Sequence, residues 1–131
     1  MPATTLTPGT PPTLVLEFTK QAPRLARQFL AERFAEWGLE DDYVGRLVIS
    51  ELTTNAYKHG AGPIIVRVFL DDHDGRPVLE VWDTAETRPK IQPENTAATS
   101  GRGLQLLADF AAEWGVRPLN EGGKITWAKL H

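Results

Sequence analysis

Glu51 and Asn55 are the side chains whose types and spacing point most directly to chemistry. They stand four residues apart in Leu47-Val48-Ile49-Ser50-Glu51-Leu52-Thr53-Thr54-Asn55-Ala56-Tyr57-Lys58-His59-Gly60. At about 100° per residue a helix projects both along one line, flanked by Val44, Leu47, Val48 and Leu52. The same projection sends Arg46, Ser50, Thr53 and Tyr57 to the opposite, solvent side. A carboxylate and a carboxamide inside an apolar stripe each cost about 1–3 kcal/mol if left without partners. The pattern therefore asks for something to meet them, and a bound ligand with its metal ion is the economical candidate. The plainer alternative is that the two side chains bond each other and the backbone.

Two further constellations carry weaker signals. In Val78-Leu79-Glu80-Val81-Trp82-Asp83, alternation places Asp83 on the face of Leu79 and Val81. An inward carboxylate at a strand end matches a donor such as the exocyclic amine of adenine, although an aspartate before Thr84 also starts turns. Gly101-Arg102-Gly103 ahead of an apolar helical run offers bare amides and a helix N-terminus, an arrangement that holds phosphate oxygens and is also a common loop-to-helix junction. His59 falls one turn beyond Asn55 and reads as a structural residue. His73 and His131 are scattered, so no histidine metal cluster is expected. Trp37, Trp82, Trp114 and Trp127 read as core or interface aromatics.

The elements that must position these residues follow from periodicity. Residues 1–12 hold four prolines and four threonines and read as a disordered tail; one domain is expected over 13–131. A first strand is expected over Thr13–Thr19. A helix entered through Pro23 carries Leu25, Ala26, Phe29, Leu30, Phe34 and Trp37 and ends at Gly38. Asp41 or Asp42 caps a second helix that bears Glu51 and Asn55 and stops at Gly60. Strands Ile64–Leu70 and Pro77–Asp83 flank the turn Asp71-Asp72-His73-Asp74-Gly75. Thr84–Thr99 has little periodicity and reads as a long mobile loop, of the kind that is usually a functional lid or disorder. A third helix then runs through Leu104, Leu107, Ala108 and Ala111, and strands Trp114–Leu119 and Lys124–Leu130 close the chain. This order predicts an α+β fold, a two-layer sandwich of about three helices on one face of a mixed, mainly antiparallel sheet. The chain has 131 residues, 41% of them hydrophobic and 24% charged, a net charge of −3 and no cysteine. That balance implies no basic surface for direct contact with nucleic acid and no disulfide framework. No stretch reaches the length of a membrane span and no leader pattern opens the chain, so no membrane partner and a cytoplasmic location are expected.

The order of the motifs is more specific than any one of them. A helix with Glu51-x-x-x-Asn55, a strand ending in Asp83, a lid and Gly101-x-Gly103 resemble the Bergerat-type ATPase fold of gyrase, the heat-shock chaperone, histidine kinases and the mismatch-repair ATPase. Within it, Ser50-Glu51-Leu52-Thr53-Thr54-Asn55-Ala56 through His59-Gly60 looks most like the small bacterial anti-sigma factor serine/threonine kinases, over Thr13–Leu130. The resemblance implies ATP and Mg²⁺ as cofactors. It makes Asn55 the metal ligand, Glu51 the catalytic base on a serine hydroxyl and Asp83 the adenine reader. Gly101 and Gly103 would hold phosphates, Arg102 or Lys58 would add positive charge, and Leu104 would complete the cofactor-binding stretch. A sigma factor and its anti-sigma antagonist would be the partners in transcription regulation, and the family's habit of dimerising makes a homodimer an option. After its adenine aspartate the family usually carries Asp-x-Gly-x-Gly, where this chain has Asp83-Thr84-Ala85-Glu86-Thr87. That departure supports an alternative: a non-catalytic, partner-binding regulator of the same fold with weak or no nucleotide binding. A detached histidine-kinase catalytic domain acting in trans is a further reading.

Overall fold

The computed structural model describes residues 13–59, 62–83, 107, 109–119 and 122–131. In chain order these form β1 (Thr13–Leu16), α1 (Ala22–Glu36), α2 (Tyr43–His59), β2 (Ile64–Leu70), β3 (Pro77–Asp83), β4 (Ala111–Pro118) and β5 (Lys124–Leu130). The strands make one sheet in the order β1-β2-β3-β5-β4, and every neighbouring pair is antiparallel. Strict alternation gives the sheet two unlike faces. Val66, Val68, Leu79, Val81, Ala128 and Leu130 point to the helices and join Ala26, Leu30, Phe34, Val48, Leu52 and Ala56 in one core. The α+β sandwich expected from the pattern is the observed architecture.

The helices pack closely because the side chains between them are graded in size. Ala22, Ala26, Leu30 and Phe34 are the buried residues of α1, with Pro23 in its first turn and Gly38 at φ +73° beyond its end. Leu25, expected on the apolar face, is exposed. Gly45 lies where α2 crosses α1, and a Cβ there would stand 3.1 Å from Leu30 Cδ2 and 3.2 Å from Phe34 Cζ.

Two boundaries differ from expectation. The first strand stops at Leu16, and the chain turns at once, with the Thr19 amide donating to the Glu17 carbonyl at 2.8 Å. Ala111, expected in the third helix, begins β4 opposite Leu130; among the described residues Leu107, Asp109 and Phe110 are helical. Pairing with β5 decides the matter, because Ala111 gains a ladder partner and burial there. A one-residue bulge at Ala112 then restores the register from Glu113 onward. The expected tail over 1–12, the lid Thr84–Thr99, Leu104 and Ala108 lie outside the described residues.

The outer face of the sheet carries a buried carboxylate. Glu80 is 7% exposed and accepts from Arg67 Nη1 and Arg117 Nη2, each at 3.2 Å. The Arg67 guanidinium stands 5.4 Å from the Phe69 ring centre and 5.9 Å from that of Trp82, so its charge is met by aromatic faces as well as by Glu80. Beside this cluster Gly115 leaves room for Trp127, whose Nε1 would lie 3.0 Å from a Cβ at that position. Trp114, by contrast, is exposed. Among the described residues no helix is long and apolar enough to cross a membrane.

The β2–β3 turn is tied down by charge. Gly75 takes φ +73°, the Asp71 carboxylate accepts the His73 N–H at 2.7 Å, and Lys129 from β5 pairs with both Asp71 and Asp74. The His73 amide, helped by Lys129, holds Asp71 below its ordinary 3.8; Lys129 first and the Arg76 amide second do the same for Asp74. Asp74 in turn raises Lys129 above 10.5. A depressed carboxyl stabilises the fold above its unfolded value and loses that contribution as pH falls through the folded one. A raised amine contributes below its unfolded value and loses the contribution as pH rises through the folded one. The turn is therefore tightest between about pH 4 and about pH 10. Asp74→Asn is expected to lower the urea midpoint at neutral pH and to shrink the loss of stability on acidification, as followed by circular dichroism from about pH 5 to about pH 2.

Candidate functional site

Helix α2 is set at its start by two aspartates sharing the capping work. The Asp41 carboxylate accepts the Tyr43 N–H at 3.2 Å, and the Asp42 carbonyl accepts the Arg46 N–H at 2.9 Å. The helix then buries Gly45, Val48, Ile49, Leu52, Thr53 and Ala56. These positions recur at three- and four-residue steps and span one side of the cylinder. Thr53, expected in solvent, is fully buried. Its hydroxyl donates to the Ile49 carbonyl at 2.7 Å and lies 3.2 Å from that of Ser50, so its polar atom is satisfied within the helix itself.

This rotation moves Glu51 and Asn55 off the centre of the apolar stripe. Both sit on its shoulder, half-buried, where water reaches them. The desolvation argument drawn from the sequence is correspondingly weaker, since neither group is enclosed by aliphatics. The shared line along the helix is as expected. Among the described residues neither side chain makes a hydrogen bond or ion pair, either with the other or with the backbone. Ser50, beside them, is engaged: Arg27 Nη1 donates to its hydroxyl at 3.0 Å, and that hydroxyl donates to the Arg46 carbonyl at 2.7 Å. Lys58 is exposed.

Asp83 ends β3 on the helix-facing side, 2% exposed, as its alternation with Leu79 and Val81 requires. It has a partner that the sequence reading did not find. Lys124 opens β5 directly opposite, and its Nζ lies 2.7 Å from Asp83 Oδ2. The two strands are distant in sequence, so their register could not be counted from either run alone. The glycines before Lys124, Gly122 at φ +97° and Gly123 at φ +84°, make the tight entry that delivers it to the sheet end.

Chain connectivity brings these groups to one end of the molecule. Helix α2 ends at His59, and only four residues separate it from Ile64, the first residue of β2. Ile65 pairs with Trp82, so the start of β2 lies beside the end of β3. The C-terminal turns of α2, with Asn55, therefore stand over the strand ends that hold Asp83 and Lys124. A groove of about 430 Å³ lined by Phe34, Val44, Arg76, Phe110 and His131 sits at the opposite end, where β3 begins and β5 finishes. Gly101, Arg102, Gly103 and Leu104, the expected phosphate-binding stretch, lie outside the described residues.

The family model described as Histidine kinase-like ATPase domain matches residues 16–130, which takes in both helices, α2 with Glu51 and Asn55, and the Asp83–Lys124 strand ends. A search among curated proteins finds no match to this chain.

Lys124→Met removes an ammonium from a carboxylate that is almost fully enclosed. The substitution is expected to lower stability by about 3 kcal/mol, and the double variant Lys124→Met/Asp83→Leu to recover most of that loss. Urea unfolding of the two variants and wild type measures both; a single variant as stable as wild type would show that the pair carries no weight in folding.

Proposed function

Because the chain belongs to the histidine kinase-like ATPase domain family, we propose that it is an ATP-binding regulatory protein, an anti-sigma factor with serine/threonine kinase activity toward an anti-sigma antagonist. The observation that carries this reading is the pair Glu51 and Asn55: half-buried, without a partner among the described residues, and with Asn55 in the helix turns that overlie Asp83. A carboxamide oxygen and a carboxylate left open side by side are the donor set that phosphoryl transfer uses. Among the described residues no three acid, histidine or cysteine side chains converge. Asn55 therefore suits Mg²⁺, which takes few protein ligands and completes its shell with phosphate and water oxygens. When bound, that ion would neutralise charge on the phosphates.

Glu51, one helical turn from Asn55, accepts the proton of an attacking serine hydroxyl. The serine oxygen bonds to the γ-phosphorus as the bond from that phosphorus to the bridging oxygen breaks, and ADP leaves with the electron pair. Asp83 would accept a hydrogen bond from the adenine amine; by the same resemblance Gly101 and Gly103 would hold phosphates, Arg102 or Lys58 would add positive charge, and Leu104 would belong to the cofactor-binding stretch. The partners proposed are a sigma factor and its antagonist in the cytoplasm. A second reading, a partner-binding regulator that binds nucleotide weakly and transfers no phosphate, is favoured by two observations. Lys124 already holds one oxygen of Asp83, and Thr84-Ala85-Glu86-Thr87 lacks the glycines that let backbone approach a nucleotide.

Calorimetry with Mg-ATP is expected to give micromolar binding by the wild type and a loss of about tenfold or more in Asn55→Ala. A folded wild type that releases no heat would remove ATP from the account. Glu51→Ala is expected to bind Mg-ATP as the wild type does while losing phosphate transfer to an antagonist serine by about 100-fold or more. Equal transfer by the variant would remove Glu51 as the base; transfer absent in the wild type, with binding intact, would select the second reading.

A further inference from the structure

Strand β4 forms one edge of the sheet with 8 residues, against 4 for β1 at the other edge. Among the described residues its backbone pairs with β5 alone, so alternate N–H and C=O groups point away from the sheet. Such edges are commonly blunted by bulges, prolines or lysines. Here the bulge at Ala112 and the proline at Pro118 stand at the two ends, and the register from Glu113 to Arg117 is unbroken. The side chains of that stretch are open as well. Trp114 and Val116 are 38% and 41% exposed, on the sheet side of Ala128 and Thr126. Glu113 and Arg117 are exposed on the opposite side, beside Lys129 and Ile125.

We propose that β4 pairs antiparallel with β4 of a second copy of this chain, about a two-fold axis at Gly115, joining the two sheets into one. The edge is self-complementary in that register. Glu113 stands opposite Arg117 of the second copy, and Arg117 opposite its Glu113, so unlike charges meet on both sides of the axis. Arg117 gives one Nη2 hydrogen to Glu80, and the rest of its fork remains, on a side chain 60% exposed. On the other side of the sheet Trp114 stands opposite Val116 of the second copy, and the two tryptophans become diagonal neighbours. The pairing thus covers two of the exposed large apolar side chains. Moving the axis to Trp114 sets Arg117 opposite Ala111, and moving it to Val116 sets Arg117 opposite Gly115. Either move leaves the charges unmatched, so the charges select the register. The paired stretch, 113–117, is short and makes a weak association, read at high protein concentration. It requires no nucleotide.

The test is sedimentation velocity of the full chain over about a hundredfold range of concentration. Wild type is expected to move from monomer to dimer mass across it. Glu113→Lys sets like charges opposite each other, and Val116→Lys sets an ammonium against Trp114 of the second copy. Each is expected to weaken dimerisation about tenfold or more. Both positions are exposed, and both variants are expected to keep the wild-type circular dichroism. The two side chains lie on opposite sides of the sheet. An association through one sheet face would therefore respond to one variant, whereas pairing along the edge responds to both. A wild type that stays monomeric throughout overturns the proposal, as does either folded variant dimerising as the wild type does.

Discussion

The orientation of the candidate site depends on how α2 is seated on the sheet. The helix buries a stripe from Gly45 to Ala56 against the sheet and α1, and a rotation of a few tens of degrees would exchange its enclosed and open residues. Gly45 permits the close crossing with α1, because anything larger would meet Leu30 and Phe34. Thr53 completes the stripe by turning its hydroxyl back to the Ile49 carbonyl. With those contacts made, Glu51 and Asn55 have one place to go: the edge of the helix, half in solvent. They are accordingly hydrated in the free protein. A ligand that reaches them replaces water rather than relieving a buried charge, and its contribution is the difference between two well-solvated states.

Strand β3 is where charge and packing meet. It carries buried carboxylates on both of its faces, Glu80 outward and Asp83 inward, and each is satisfied from neighbouring strands. Glu80 is held between Arg67 of β2 and Arg117 of β4, with Trp82 alongside; Asp83 is held by Lys124 of β5. The chemistry of the two pairs is alike and their surroundings are not. Glu80 has both oxygens engaged by arginines in the middle of a face. Asp83 lies at the strand end beneath α2, with the more exposed lysine beside it.

Much of the frame was legible from residue spacing. Both helices, strands β2 and β3, their turn, the closing strand β5 and the inward aspect of Asp83 follow from periods of 3.6 and 2 and from glycine and proline punctuation. The glutamate–asparagine pair was legible too, since four-residue spacing on any helix places two side chains together. What local pattern misjudged were places where tertiary contact outweighs it. Ala111 suits a helix by composition, yet pairing with Leu130 draws it into β4. Thr53 reads as polar, although the four-residue steps through Gly45 and Ile49 were the signal that it belongs to the stripe.

The amino-acid sequence by itself determined which groups share a helix line or a strand face, because those relations are set by covalent geometry over a few residues. Only the tertiary structure decided which side of α2 is enclosed, and that Lys124 stands against Asp83. Both outcomes depend on segments far apart along the chain meeting in one register, chosen by core packing and the pairing of β3 with β5.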